Sequence, residues 1–210
     1  ILSDLNYPNN DGIHINCSRN VSVSNSCMIC SDDCIVIRAN SRSLKENKVC
    51  ERVTVTNCTM TTRCAGVRIG FVNDGTIRNC VFSNIVMTDT NVGIQADFPD
   101  KELIQSDFGR ECTCVENIRF SNIVMDKVIQ PVKIRIGLSR ETNVGYIKNL
   151  YFSGVYASCR SLPVIMGRDG TVIENICFSD CTFDCGGKDT AMNIEHVKNV
   201  IINNTRFSKI

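Results

Sequence analysis

Asn117-Ile-Arg-Phe-Ser-Asn122 is the stretch on which the reading of this chain turns. Apolar and polar residues alternate within it, and the apolar face carries β-branched and aromatic side chains, the period of a half-buried strand. The pattern recurs as Asn20-Val-Ser-Val-Ser-Asn25, Arg52-Val-Thr-Val-Thr-Asn57, Asn79-Cys-Val-Phe-Ser-Asn84, Asn149-Leu-Tyr-Phe-Ser-Gly154, Asn175-Ile-Cys-Phe-Ser-Asp180 and Asn199-Val-Ile-Ile-Asn-Asn204. The starts are 32, 27, 38, 32, 26 and 24 residues apart. Such spacing is too irregular for helical repeats of fixed length and suits coils whose loops vary.

A second short segment follows each of the first four copies (Cys27-Met28, Cys58-Thr-Met60, Ile85-Val-Met87, Ile123-Val-Met125). A third is again apolar: Ile35-Val-Ile37, Val67-Arg-Ile69, Ile94-Gln-Ala96, Val132-Lys-Ile134, Val164-Ile-Met166 and Ala191-Met-Asn-Ile194. Three short strands per repeat predict an all-β chain, a parallel β-helix forming one domain over residues 1–210, with equivalent positions stacked about 4.8 Å apart. The outward middle positions of the third segments then form a column: Val36, Arg68, Gln95, Lys133, Ile165, Asn193. The recurrent Asn residues suit tight left-handed turns and side-chain ladders between coils. The sequons at Asn16, Asn20, Asn57 and Asn203 fall in these repeats, which argues against their glycosylation.

The 23 Lys and Arg against 22 Asp and Glu leave a formal net charge of +1 with no local basic run, which argues against nucleic-acid or membrane-surface partners. No stretch approaches the roughly 18 apolar residues of a membrane helix. The first residues lack the basic start and apolar middle of a signal peptide. The chain begins a few residues before its first acidic motif without an initiator Met, so missing N-terminal coils and a missing cap are expected. Of the 14 cysteines, Cys58 and Cys181 fall in the column otherwise filled by Ile85, Ile123, Val155 and Thr205, as small buried hydrophobes. Cys27-x-x-Cys30, Cys181-x-x-x-Cys185 and Cys112-x-Cys114 have ligand-like spacing, but neighbours on an alternating strand point to opposite faces. Core packing or an occasional disulfide is favoured over zinc, and no metal or cofactor is expected.

Polar residues that break the repeat are the candidates for chemistry. Asn9-Asn10-Asp11-Gly12-Ile13 and Ser31-Asp32-Asp33-Cys34-Ile35 place Asp11 and Asp32 21 residues apart, about one coil. Three carboxylates then converge on one face; such crowding raises at least one pKa and sets a proton donor beside a base. Glycoside hydrolysis requires that pairing. A simple acidic turn at Asp32-Asp33 is the structural alternative.

These two motifs, one coil apart on a parallel β-helix, resemble the polygalacturonases of glycoside hydrolase family 28. The resemblance implies a right-handed helix and an inverting hydrolase of pectic polysaccharides, with Asp32 as general acid and Asp11 and Asp33 positioning and activating water. It also implies a secreted or extracellular protein with a polysaccharide or oligosaccharide substrate. The chain departs from the family pattern at two places. Ala65 in Cys64-Ala65-Gly66-Val67-Arg68-Ile69-Gly70 stands where the family has His, and Gly93-Ile94-Gln95-Ala96-Asp97 replaces an Arg-Ile-Lys that binds the substrate carboxylate. Arg68 and Lys133, which flank Gln95 on neighbouring coils, are candidates with Arg63 to rebuild an anionic-sugar subsite beside the aspartates; solvated surface charge is the alternative. Asn9 and His14 complete the candidate substrate contacts, with His14 either a surface histidine or a proton shuttle. Tyr7 is the aromatic residue placed to stack on a sugar. Two other functions stay open on a β-helix: a non-catalytic glycan-binding protein, and a polysaccharide lyase using Arg135 or Lys133 as base, for which no calcium cage is readable.

Overall fold

A computed structural model describes residues 1–100, 111–139, 142–188 and 191–209. Among these residues the regular structure is all strand: β1 (Ile13–Asn16), β2 (Arg19–Ser24), β3 (Cys27–Cys30), β4 (Ile35–Arg38), β5 (Cys50–Thr62), β6 (Ala65–Ile69), β7 (Thr76–Thr88), β8 (Val92–Phe98), β9 (Thr113–Val128), β10 (Gln130–Ile136), β11 (Val144–Cys159), β12 (Val164–Met166), β13 (Val172–Ser179), β14 (Thr182–Cys185), β15 (Asn193–Glu195), β16 (Lys198–Asn203) and β17 (Arg206–Lys209). One sheet stacks β1, β4, β6, β8, β10, β12 and β15; the other stacks β2, β5, β7, β9, β11, β13 and β16, with β3, β14 and β17 extending it. Each strand pairs in parallel with its counterpart one coil away, so the described residues form a parallel β-helix of seven coils.

The coils differ from three separate short strands in one respect. In β5, β7, β9 and β11 the first two segments run together as strands of 13 or 16 residues. Each turns its corner at one left-handed residue: Asn57, Asn84 and Asn122 at φ 53° and Gly154 at φ 61°. A single residue in this conformation re-aims a strand without ending its pairing, and Asn and Gly adopt it at least cost. The first residues of the motifs do the same at Asn20, Arg52, Asn79, Asn117, Asn149, Asn175 and Asn199, with φ between 55° and 59°. Their amides form a ladder: Asn117 Nδ2 donates to Asn79 Oδ1 at 3.2 Å, Asn149 to Asn117 at 2.9 Å, Asn175 to Asn149 at 2.9 Å and Asn199 to Asn175 at 2.6 Å.

Inside, like packs on like. Phe82, Phe120, Phe152 and Phe178 stack with centroids 5.0, 5.1 and 4.7 Å apart, and Met28, Met60, Met87 and Met125 fill a parallel buried column. Cys58 stacks below Ile85, Ile123 and Val155 as expected, and Cys27 is exposed while Cys30 is buried. The outward column needs one correction. Val36, Arg68, Gln95 and Lys133 are in register, but Val164 follows them, and Ile165 lies on the core side between Ile134 and Ile194. The side-chain period of two means that a one-residue slip exchanges the faces, and a short Val-Ile-Met segment gives no polar residue to fix it.

Charged residues cannot stack like on like. One position of the second sheet reads Arg19, Glu51, Arg78, Glu116, Lys148, Glu174, Lys198, opposite in sign at every step. Glu51 meets Arg19 at 3.3 Å and Arg78 at 2.7 Å, and Glu116 meets Lys148 at 3.3 Å. The hydrogen bond from Arg78 holds the Glu51 carboxyl below the ordinary carboxylate range.

Two stability measurements follow from this architecture. Asn117→Val forces a β-branched residue into the left-handed region and is expected to lower unfolding free energy by about 1–3 kcal/mol, whereas Asn117→Gly, which keeps that conformation accessible, costs less in the same denaturant titration. A carboxyl with a lowered folded pKa contributes stability that is present above its unfolded pKa and lost as pH falls through the folded value. Glu51→Gln is therefore expected to flatten the loss of stability below about pH 4, read as a smaller shift of the urea midpoint.

Candidate functional site

Asp11 lies in the turn before β1, and Asp32 and Asp33 in the turn before β4. The Gly12 amide donates to the Asp33 carbonyl at 2.9 Å and the Ile13 amide to the Cys34 carbonyl at 2.9 Å, while the Asp32 amide reaches the Asn10 carbonyl at 3.4 Å. The coil offset is thus 22 residues, as in Ile13 against Ile35, so Asp11 stacks under Asp33 and Asn10 under Asp32. The three carboxylates occupy adjacent coils at one edge of the first sheet.

Their environments differ. Asp33 is buried, and its Oδ1 accepts from the Ala65 amide at 2.9 Å while Oδ2 accepts from Arg68 Nε. Asp32 is half-buried, with Oδ1 accepting from the Asp33 amide at 2.9 Å. Asp11 is a quarter exposed and lies 3.1 Å from His14 Nδ1. Cys64, on the third coil, joins the pair: its thiol sulfur and the Asp32 and Asp33 carboxylate oxygens lie within 4.8 Å of one another. Burial, then the Asp33 and Asp32 carboxylates, push this thiol up to about 12, so at neutral pH it is an uncharged donor beside two carboxylates.

Arg68 requires a correction. Its place in the outward column suggests a solvent-facing cation, but the side chain is only 14% exposed and is committed to Asp33. Its guanidinium also lies 5.7 Å from the Phe71 ring centroid, a ring it shares with Arg38 at 5.0 Å. Arg38 in turn forks onto the fully buried Asp74 at 2.8 and 2.6 Å. A desolvated cation locked onto Asp33 offsets the repulsion between the neighbouring Asp32 and Asp33 carboxylates.

Of the remaining expected contacts, Gln95 is buried between Arg68 and Lys133, as its register requires. Lys133 Nζ lies 2.7 Å from Asp97 Oδ2, and Arg135 Nε lies 2.7 Å from Asp97 Oδ1. Asn9 is exposed at φ 57°, Arg63 is exposed, and His14 is half-exposed. Tyr7 is exposed, and its carbonyl accepts from Ser31 Oγ at 2.5 Å, next to Asp32. His14 also opens a polar groove of about 520 Å³ with Asn16, Arg38, Asn40 and Arg42 in its walls. A second groove of about 370 Å³ at Arg168, Asp169 and His196 lies on later coils, away from the carboxylate cluster.

Sequence reasoning missed Cys64, the Asp97 bridge and the Arg38–Asp74 fork. The alternating register of the third strands was the signal for Asp97, which stacks directly on Arg135. Asp74, 36 residues from Arg38, had none.

Comparison with known proteins places the chain in a family and matches its fold. The profile of glycosyl hydrolases family 28 matches residues 2–203. A probable polygalacturonase of Arabidopsis thaliana is 25% identical over 203 residues, which is 90% of this chain and 41% of the relative. A family 28 exopolygalacturonase of Yersinia enterocolitica superposes with a TM-score of 0.72 at 17% identity, over 90% of this chain and 38% of its own. A hyperthermoactive exopolygalacturonase of Thermotoga maritima gives 0.71 at 19%, over 93% and 44%. The chain spans less than half the length of each.

Removing Arg68 leaves Asp33 buried without its counter-charge. Arg68→Ala is expected to cost about 3–5 kcal/mol, and Arg68→Ala with Asp33→Asn less than the sum of the two single changes, a coupling that a double-mutant cycle in urea measures.

Proposed function

This chain belongs to glycosyl hydrolases family 28, and we propose that it cleaves O-glycosidic bonds in galacturonate-containing or related acidic polysaccharides, with inversion. The observation that supports the reading is the placement of Asp11 on one coil and of Asp32 and Asp33 on the next, with the Asp32 and Asp33 carboxylates and the Cys64 thiol within 4.8 Å of one another. In an inverting reaction one carboxylic acid protonates the leaving oxygen while a carboxylate on the opposite side of the sugar activates water. Asp32, half-buried beside the neutral Cys64 thiol, takes the acid role. Asp11, partly exposed and paired with His14, activates the water. Asp33, fixed by Arg68 and the Ala65 amide, orients that water and holds the turn.

The acidic substrate is recognised one coil beyond Gln95. Lys133 and Arg135 share the single Asp97 carboxylate, a cluster that carries one net positive charge on the outward face. A uronate carboxylate placed there gains charge-assisted hydrogen bonds from both cations. Arg63, Asn9 and His14 are exposed and free to reach the sugar, as is the exposed ring of Tyr7. Polysaccharide substrates of this kind lie outside cells, and we assign the protein to a secreted or extracellular setting.

One observation favours a second reading, a glycan-binding protein without catalysis. The buried methyl of Ala65 occupies the position at which the resembled family has its histidine.

Reducing-end release from polygalacturonate, rhamnogalacturonan, xylogalacturonan and short oligogalacturonides separates the two. The hydrolase reading expects release from at least one of these, reduced about 10²–10⁴-fold in Asp32→Asn. Lys133→Ala with Arg135→Ala is expected to raise KM for acidic substrates more than it lowers kcat. Glycan binding with no release selects the non-catalytic reading, and ultraviolet-absorbing unsaturated products would point to a lyase.

A further inference from the structure

Away from the carboxylates, two reactive side chains converge at the root of β9. Cys112 lies one residue before the strand and is exposed; Cys114, its second residue, is half-buried. Separated by Thr113, whose side chain is buried, they project from the same side of an extended segment. Opposite them the pairing of β11 with β9 shifts register between Val144 and Tyr146, and Gly145 occupies the irregularity. A Cβ on Gly145 would lie 2.9 Å from Cys112 Sγ and 3.0 Å from Cys114 Sγ, so both sulfurs point into the notch that the missing side chain leaves. Both sulfurs thus border one small space beside Gly145.

The surroundings favour sulfur chemistry over metal binding. Tyr146 pairs with Cys114 across the strands, and burial, then Cys114 and Glu116, raise its phenol pKa. Lys148 Nζ lies 4.3 Å over the Tyr146 ring and 3.3 Å from Glu116. Glu116 is thus neutralised by a lysine. Among the described residues the group with ligand atoms close enough to share an ion is Asp32, Asp33 and Cys64, which does not include this pair. Two sulfurs without a third or fourth ligand do not make a structural zinc site.

We propose that Cys112 and Cys114 form a reversible dithiol–disulfide site that exchanges with low-molecular-weight disulfides such as oxidised glutathione. The thiolate of Cys112, the more exposed of the two, attacks one sulfur of the reagent and forms a mixed disulfide, releasing the first glutathione thiol. Cys114 then attacks the Cys112 sulfur, expelling the second glutathione thiol and closing the Cys112–Cys114 bond. Two protein thiols are oxidised, one reagent disulfide is reduced, and the two protein protons leave on the two released thiols. Burial and the neighbouring Cys114 push the Cys112 thiol up, so the first step quickens as pH rises through the alkaline range. Gly145 supplies the room in which the sulfurs meet. The site is independent of any hydrolase activity, and an extracellular setting would favour its oxidised form.

Trypsin isolates the pair. Cleavage after Arg110 and Arg119 releases Glu-Cys-Thr-Cys-Val-Glu-Asn-Ile-Arg, residues 111–119, which holds these two cysteines and no others. The folded full chain is equilibrated in glutathione buffers of increasing oxidation, quenched with acid, alkylated, digested and weighed. The proposal expects both alkylation sites in this peptide to disappear together, leaving a peptide lighter by two hydrogen atoms. Cys112→Ser should convert Cys114 to a glutathione adduct, and Gly145→Ala, which pushes a methyl between the sulfurs, should lower the internally bridged fraction. A wild-type peptide that keeps two alkyl groups, or carries two glutathiones, across the same buffers would overturn it.

Discussion

In a parallel solenoid each side chain has the same position of the next coil about 4.8 Å above and below it. That constraint sorts residues by whether they tolerate their own kind as neighbours. Asparagine does, because its amide carries a donor and an acceptor, so Asn79, Asn117, Asn149, Asn175 and Asn199 each satisfy the next. Phenylalanine does, in the offset stack of Phe82, Phe120, Phe152 and Phe178. Charge does not, and the Arg19-to-Lys198 column is built with alternating sign throughout.

The candidate site is where that rule is broken. Asp11 stacks under Asp33 with Asp32 alongside, three like charges on neighbouring coils. Such an arrangement persists when a counter-charge lies close, and Arg68 provides it from the third coil, desolvated and locked onto Asp33. The same logic runs further along the face, where Asp97 is matched by Lys133 and Arg135 and the sign of the excess is reversed. Negative charge at Asp32 and Asp33 and positive charge three coils on, at Lys133 and Arg135, set opposite signs apart along the helix axis.

What could be read beforehand divides along the same line. The coil pattern and the Asn turns were legible because they repeat, and a motif seen seven times corrects its own ambiguities. The placement of Asp11 and of the Asp32-Asp33 pair on adjacent coils was legible because about one coil length separates the two motifs. Single events were not legible. Ile165 was assigned to the wrong face because its strand is three residues long and wholly apolar. Arg68 was read as a subsite cation or a solvated charge, and its bond to Asp33 was not foreseen, because the column fixes which face a residue occupies but not which neighbour its long side chain reaches. The fork of Arg38 on Asp74 and the notch at Gly145 depend on loops of unequal length, which no periodicity describes.

The alternating column also gives the solenoid a parity. In shape the helix repeats every coil, but in charge it repeats every second coil. Losing one coil, for instance that of Glu116, would bring Arg78 against Lys148, whereas losing the Arg78 and Glu116 coils together would set Glu51 against Lys148 and restore opposite neighbours. Like charges set directly across a strand pair are destabilising, so duplication or loss of repeats in a chain like this one is easiest in even numbers.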